Sequence, residues 1–379
     1  MKRLCIYMTY NRENRIYEYM GQALHDLKLC CSKVYLVCNY QRAVSGLEYV
    51  EPYVEEIVHR NNEGYDSGAF KDMLCDFLGW GEVCKYDELV LVNDSFFGFF
   101  YPLEDTFELM DKEECDFWGM TGQEAGEFVA PDYAFDAHIH SYFMVFHKNV
   151  VRSEVFQQFW KRLEYPGNFR EAVVNFEIRI NACLKRDGFI GKSLMDVYHI
   201  KLKRNENPYY SMPYELVKDY KMPLMKKKCV LIRSTGFAGT IKTLNYLEKE
   251  NKYDIERIKP YLENQFYTSG TGADSCNSLE IFYNTYQHIY IYGAGLCGQN
   301  LASYFAYKGW NYEGFIVTKP AEKERAVSIE KAEISQDTGI IISVLNAKVA
   351  EEITRHIGAR CRKEQLFYIS ECNAIKLPD

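Results

Sequence analysis

Tyr86-Asp87-Glu88-Leu89-Val90-Leu91-Val92-Asn93-Asp94-Ser95 is the stretch that decides the reading of this chain. Glu88–Val92 is continuously apolar after its first residue, the pattern of a strand covered on both faces and not of a half-exposed one. It stops abruptly at three polar residues. In open α/β sheets ligands bind outside the carboxyl ends of strands, so Asn93, Asp94 and Ser95 become candidate site residues. A carboxylate followed by a hydroxyl can hold a divalent cation, Mg or Mn, that bridges a diphosphate. The competing reading is a strand-end cap that opens the turn Ser95–Tyr101.

Working outward, strand-like and helical runs alternate. Leu4–Tyr10, Lys33–Tyr40 and Val54–Arg60 read as strands by their β-branched and aromatic content; Ile16–Leu29 and Gly68–Leu78 read as helices. Asp116–Thr121 and Ser141–Phe146 add short strands, Ser153–Leu163 and Glu171–Arg186 helices. Such alternation predicts a mainly parallel sheet with helices on both faces. The small, polar, Gly-rich Thr268–Ser278 is the best linker, so residues 1–267 are expected as one domain, 268–284 as linker and 285–379 as a second domain. In that second domain His288–Tyr292, Gly314–Thr318, Gly339–Leu345 and Gln365–Ile369 read as strands, the size of one mononucleotide-binding half of a Rossmann-like fold.

Composition narrows the function. At 379 residues the chain exceeds one ordinary domain of about 100–200 residues. Its net charge of −8 argues against a nucleic-acid partner, whose binding needs Lys and Arg to neutralise phosphates. The 13 cysteines show neither C-x-x-C nor metal-ligand spacing and read as thiols of a reducing compartment. The 31 Tyr and 23 Phe imply an aromatic core, a groove that stacks on sugar rings, or both. No stretch nears the roughly 18 apolar residues of a spanning helix. A cytoplasmic protein is expected, with one place for contact with the inner face of the plasma membrane: apolar Met222-Pro223-Leu224-Met225 followed by Lys226-Lys227-Lys228.

Asn61-Asn62-Glu63-Gly64-Tyr65-Asp66-Ser67-Gly68 precedes the second helix. Glycines at 64 and 68 would let backbone approach a ligand and present helix amides to an anion, with Asn62 and Asp66 capping the turn or bonding a ribose or base. The plain alternative is an Asx-rich helix entry. Further on, His138 and His140 alternate on one strand face, beside Asp136. They could bind metal, line an acceptor pocket or be satisfied polar residues beside the core.

The order of these pieces resembles the GT-A-fold glycosyltransferase superfamily, with N-x-G-x-x-x-G at Asn62, Gly64 and Gly68, then an Asp-x-Asp-type motif met in part by Asn93-Asp94-Ser95. Asn175–Asn181 with Arg186-Asp187-Gly188-Phe189 resembles the superfamily element whose acid deprotonates the acceptor, which makes Glu177 the candidate base and Asp136 its alternate. More narrowly, Asn62–Leu74, Tyr86–Ser95, Asp116-Phe117-Trp118-Gly119, His138–Phe143, Phe156–Trp160 and Met222–Lys226 are similar to the rhamnan synthesis protein F family over roughly residues 1–265. The resemblance implies a GT-A-like domain that passes a sugar, rhamnose from dTDP-rhamnose, to a glycan or lipid-linked glycan acceptor of cell wall or lipopolysaccharide. It implies Asn62, Gly64, Asp66, Gly68, Asn93, Asp94 and Ser95 on the nucleotide-sugar donor, Asp94 on the metal, and His138, His140 and Trp118 on the acceptor, while Thr9 and Asn11, at the end of the first strand, are placed to touch the donor's base or ribose.

Gly293-Ala294-Gly295-Leu296-Cys297-Gly298 follows a strand and opens a helix, the setting of a dinucleotide fingerprint. Gly293, Gly295 and Gly298 are therefore candidate nucleotide contacts. The acid expected about 20 residues on is replaced by Thr318-Lys319, which argues against NAD. An NAD(P)- or nucleotide-binding oxidoreductase or regulatory protein working through this domain is the rival reading.

Overall fold

In a computed structural model, residues 1–11, 13–40, 43–129, 132–201, 206–262, 278–318 and 326–369 are described. The chain divides into two compact units. One comprises Met1–Lys227 and Lys252–Ile258; the other comprises Lys228–Asn251 and the described residues from Lys259 onward. The linker expected at 268–284 lies outside the described residues as far as 277, and Ser278–Thr285 is helical. Residues 228–251 join the second unit because Phe237–Lys249 packs on the helix Leu296–Lys308.

The first unit is built on a seven-stranded sheet. Its strands in chain order are β1 Arg3–Thr9, β2 Lys33–Asn39, β3 Glu56–Arg60, β4 Glu88–Asn93, β5 Phe117–Gly119, β6 Phe143–His147 and β7 Gly191–Ser193. Their spatial order is β7-β5-β6-β4-β1-β2-β3, with β6 antiparallel to both neighbours and every other pair parallel. The mixed, mainly parallel α/β sheet expected from the alternation is what the chain forms. β1, β2 and β4 are buried on both faces, which is why their sequences run apolar without alternating.

One face carries Leu4, Ile6, Met8, Leu89, Leu91, Phe117, Met144 and Phe146 against Phe70, Phe156, Trp160, Phe176 and Ile180 from covering helices. The helix Glu18–Cys30 buries Tyr19, Leu24 and Leu27 and touches β1 and β2. The aromatic surplus therefore goes chiefly into packing. Trp160 meets Phe70, Phe156 and Phe176 edge-on or tilted with ring centroids 5.3–6.4 Å apart, a favourable arrangement for aromatic quadrupoles.

The second unit has a five-stranded, all-parallel sheet: β8 His288–Tyr292, β9 Gly314–Val317, β10 Ala326–Ser328, β11 Thr338–Ile342 and β12 Leu366–Tyr368. Its order, β10-β9-β8-β11-β12, is that of a Rossmann-like sheet read outward from the first strand. All eleven described cysteines are free thiols.

At the start of β4, Glu88 is almost wholly buried and is paired with Arg3 of β1 and, at 3.1 Å, with His147 of β6. Burial alone would raise its carboxyl, but His147 and the Arg3 guanidinium beside it hold it below the ordinary value. A depressed carboxylate contributes stability that is full above the unfolded-state value and is lost as pH falls through the folded one. Glu88→Gln is expected to cost about 1–3 kcal/mol at neutral pH, because it removes the buried charge partner of Arg3 and leaves that guanidinium only its more exposed pairing with Asp111. It should also flatten the acid side of the stability curve, both effects read from urea denaturation at stepped pH.

Candidate functional site

The site is built at the carboxyl edge of the first sheet. β4 ends at Asn93, whose Nδ2 donates to Asp66 Oδ2 at 2.8 Å, so the strand end and the glycine turn meet directly. Asp66 also accepts the Ser67 amide. Burial first and the nearby Glu177 second push its carboxyl up, against the opposing pull of Asn93.

The turn itself is pinned from outside the expected motif. Arg60, at the end of β3, reaches Asp72 with Nε (2.8 Å), Asn39 with Nη1 (3.0 Å) and the Glu63 carbonyl with Nη2 (3.0 Å). Asn39 in turn donates to the Tyr65 carbonyl and to Asn62 Oδ1. These bonds hold Tyr65 at φ +56°, a left-handed backbone that costs a bulky side chain energy.

The glycines serve the turn itself. Gly64 has φ +72°, and a Cβ on Gly68 would lie 2.3 Å from the Glu63 carbonyl oxygen. The Gly68 amide bonds the Gly64 carbonyl at 2.7 Å, so it is not available to an anion as the sequence reading expected.

Asp94 has a different set of partners. Its Oδ2 accepts the Thr9 hydroxyl at 2.6 Å and lies 3.3 Å from Lys227 Nζ, which also donates to the Tyr19 hydroxyl at 2.9 Å. The Asn93 oxygen is taken by the Ser95 amide and hydroxyl. A carboxylate already neutralised by a buried ammonium, beside an amide oxygen already bonded twice, does not suit a divalent cation. Thr9 is fully buried; Asn11 closes its own turn by bonding Arg15 and reaches Tyr40.

Lys226, by contrast, donates to Ser95 Oγ at 2.6 Å and lies over the Tyr142 ring at 3.8 Å, a cation at the carboxyl end of β4 that spacing alone did not signal. Met222, Leu224 and Met225 are fully buried and Lys227 nearly so, and Leu224–Lys226 pairs as a strand with Phe96–Gly98. The membrane-facing surface expected of this segment is therefore core.

The third wall brings His138, His140 and Glu177 together. Glu177 lies in a π-helical segment, Val173–Ile178, within a helix that continues through Arg179–Arg186. Such widened turns often occur at functional sites. One turn on, Asn181 bonds both the amide and the carbonyl of Ile139, each at 3.0 Å, clamping the strand residues on either side. Glu177 Oε2 accepts from the Ser141 amide and hydroxyl, and Oε1 lies 3.7 Å from His138 Nε2. Burial would raise the Glu177 carboxyl, but the neighbouring His138 and His140 rings, when protonated, and the Ser141 amide bring it down to about 2. Burial brings His140 down to about 4.

Two expected residues fall outside the wall. The Asp136 side chain is exposed, and only its carbonyl takes part, accepting from His138 Nδ1. Trp118 is fully buried between Phe107 and Phe143, so it cannot touch an acceptor.

In the second unit Gly293 has φ +109°, and a Cβ on Gly298 would come within 1.9 Å of its carbonyl oxygen. Gly295 faces open space. Two of the three glycines are thus required by strand–helix packing whether or not a nucleotide binds.

The family model described as rhamnan synthesis protein F matches residues 34–337, most of the chain. The chain belongs to this family. The match continues past the 1–265 stretch in which the resemblance was read and into the second unit of this family member. An uncharacterized protein of Sinorhizobium fredii, y4gN, is 24% identical over 159 residues, 41% of this chain and 39% of that relative; the match thus spans about two fifths of the relative's length. Similar solved structures include 4-diphosphocytidyl-2C-methyl-D-erythritol synthase, at 8% identity over 54% of this chain and 94% of that one (TM-score 0.34). They also include core-mannan synthase A of Aspergillus fumigatus in a Mn/GDP form, at 10% identity over 50% and 70% (TM-score 0.30). A mannosyltransferase of S. cerevisiae with GDP is 10% identical over 47% and 63% (TM-score 0.28).

Because Lys227 and Asp94 neutralise each other in a buried setting, Lys227→Met alone should cost about 3–5 kcal/mol in this family member. Adding Asp94→Asn should recover a large part of that loss. A double-mutant cycle by urea unfolding measures both, and additive losses would show that the pair is not coupled.

Proposed function

We propose that the chain is a glycosyltransferase that moves a sugar from a nucleotide-sugar donor to a surface-glycan acceptor by direct displacement, with inversion at the anomeric carbon. The observation that carries this is the Asn93–Asp66 hydrogen bond, which joins the glycine turn and the polar end of β4 at one edge of the sheet. Family membership supports the same reading, and the family's name suggests rhamnose, with dTDP as its carrier. The reading favours work on the cytoplasmic side, where nucleotide sugars are made; no described helix is long and apolar enough to cross a membrane.

Displacement needs charge stabilisation on the departing diphosphate and a base for the incoming hydroxyl. We assign the first role to Lys226, held on Ser95 and Tyr142 at the strand end. The base assigned here is Asp66 rather than Glu177. Both Glu177 oxygens are engaged, Oε2 by the Ser141 amide and hydroxyl and Oε1 beside His138, whereas burial raises the Asp66 carboxyl above its ordinary value and so makes it the better proton acceptor.

Thermal shift with dTDP, UDP, GDP and NAD tests the reaction class: a nucleoside diphosphate should stabilise the chain, and stabilisation by NAD alone would overturn the proposal. Asp66→Asn should lower turnover by about 10²–10⁴-fold while nucleotide binding survives. If nucleotide binding is lost instead, Asp66 is a donor ligand and not the base.

A further inference from the structure

We propose that His138, His140 and Glu177 form a site for one first-row transition-metal dication, in place of the cation expected on Asp94. One ligand atom from each residue can be chosen so that all three lie within 4.8 Å of one another, a spread that small side-chain movements would close onto an ion. The hydrogen bonds around them are those of a metal site. His138 Nδ1 lies 2.9 Å from the Asp136 carbonyl, and a carbonyl can only accept, so the ring proton sits on Nδ1. In a neutral ring the Nε2 lone pair then faces Glu177 Oε1 at 3.7 Å. With the ring neutral, two electron-rich atoms face each other where His138 is 6% exposed, an arrangement that a cation between them resolves.

The remaining contacts orient the set. His140 Nδ1 is engaged by the Thr121 hydroxyl at 2.8 Å, which leaves its Nε2 for an ion. Glu177 Oε2 is fixed by Ser141, and Asn181 locks the Ile139 backbone between the two histidines. Metal-bound histidines almost always have their second nitrogen bonded in this way. Two imidazoles and one carboxylate favour Mn²⁺, Co²⁺ or Zn²⁺ over Mg²⁺, which prefers oxygen throughout, and three protein ligands leave a position open. On the transferase reading, on which this role rests, that position takes an oxygen of the donor diphosphate or of the acceptor.

The test uses the full chain after chelator treatment. Calorimetric titration should give one equivalent of Zn²⁺ or Mn²⁺ and no Mg²⁺ binding at the same concentrations, and Co²⁺ should produce visible d–d bands. His140→Ala and Glu177→Gln should each weaken binding by about tenfold or more, and Thr121→Val by about 10–100-fold through the second nitrogen of His140. The wild-type Co²⁺ spectrum stands independently of whether a variant folds. Absence of stoichiometric binding would mean that His138 and Glu177 form an imidazolium–carboxylate pair, and the site falls; unchanged affinity in His140→Ala overturns it as well. Nucleotide stabilisation measured in chelator separates the two proposals. A chain that binds a nucleoside diphosphate but no metal keeps the transferase reading and loses this one, and a chain that binds metal but no nucleotide does the reverse.

Discussion

The buried ion pair between Asp94 and Lys227 organises the sheet edge on which everything else is assembled. Asp94 takes the Thr9 hydroxyl from the end of β1, while its own amide bonds the Met8 carbonyl. Lys227 reaches Tyr19 on the first helix and arrives by way of the short strand Leu224–Lys226. Two strand ends, a helix and a segment more than a hundred residues away in sequence are thereby tied at one point. Neither charge could be buried alone, since an isolated ion in an apolar interior costs several kcal/mol. The same segment pairs with Phe96–Gly98, and Lys226 reaches Ser95 from it.

That arrangement changes what the strand-end acid does. A carboxylate after an apolar strand is the ordinary place for a bridging cation, but here an ammonium occupies its field. The nitrogen and oxygen donors suited to a metal gather instead where a π-helical turn presents Glu177 to two histidines. Asn181 explains why they stay there: its amide completes the hydrogen bonds of Ile139, and strand alternation then directs residues 138 and 140 the same way.

The fold was largely legible. Uninterrupted apolar runs at Leu4–Thr9, Val34–Cys38 and Leu89–Val92 announced a sheet covered on both sides, since exposure on either face would have forced alternation. The second sheet's strands were read in the same way, and Ile340–Ile342 is wholly buried in it, but the reading did not foresee that residues 228–251 join that unit. Glycines were legible as constraints but not as to cause. Gly68 and Gly298 are needed because a carbonyl oxygen occupies the space of a Cβ, a reason that spacing cannot separate from close approach of a phosphate.

The site was legible only in pieces. The sequence by itself determined which residue types stand at the strand ends and turns, because period and punctuation are local properties of the chain. Tertiary structure alone decided their partners: that Asp94 meets Lys227, that Asn93 meets Asp66, that Trp118 is sealed between Phe107 and Phe143, and that Met222–Met225 is core and not surface. The physical reason is that a side chain's charge state and availability depend on what packs against it, and those neighbours come from elements tens to hundreds of residues away that no local pattern encodes.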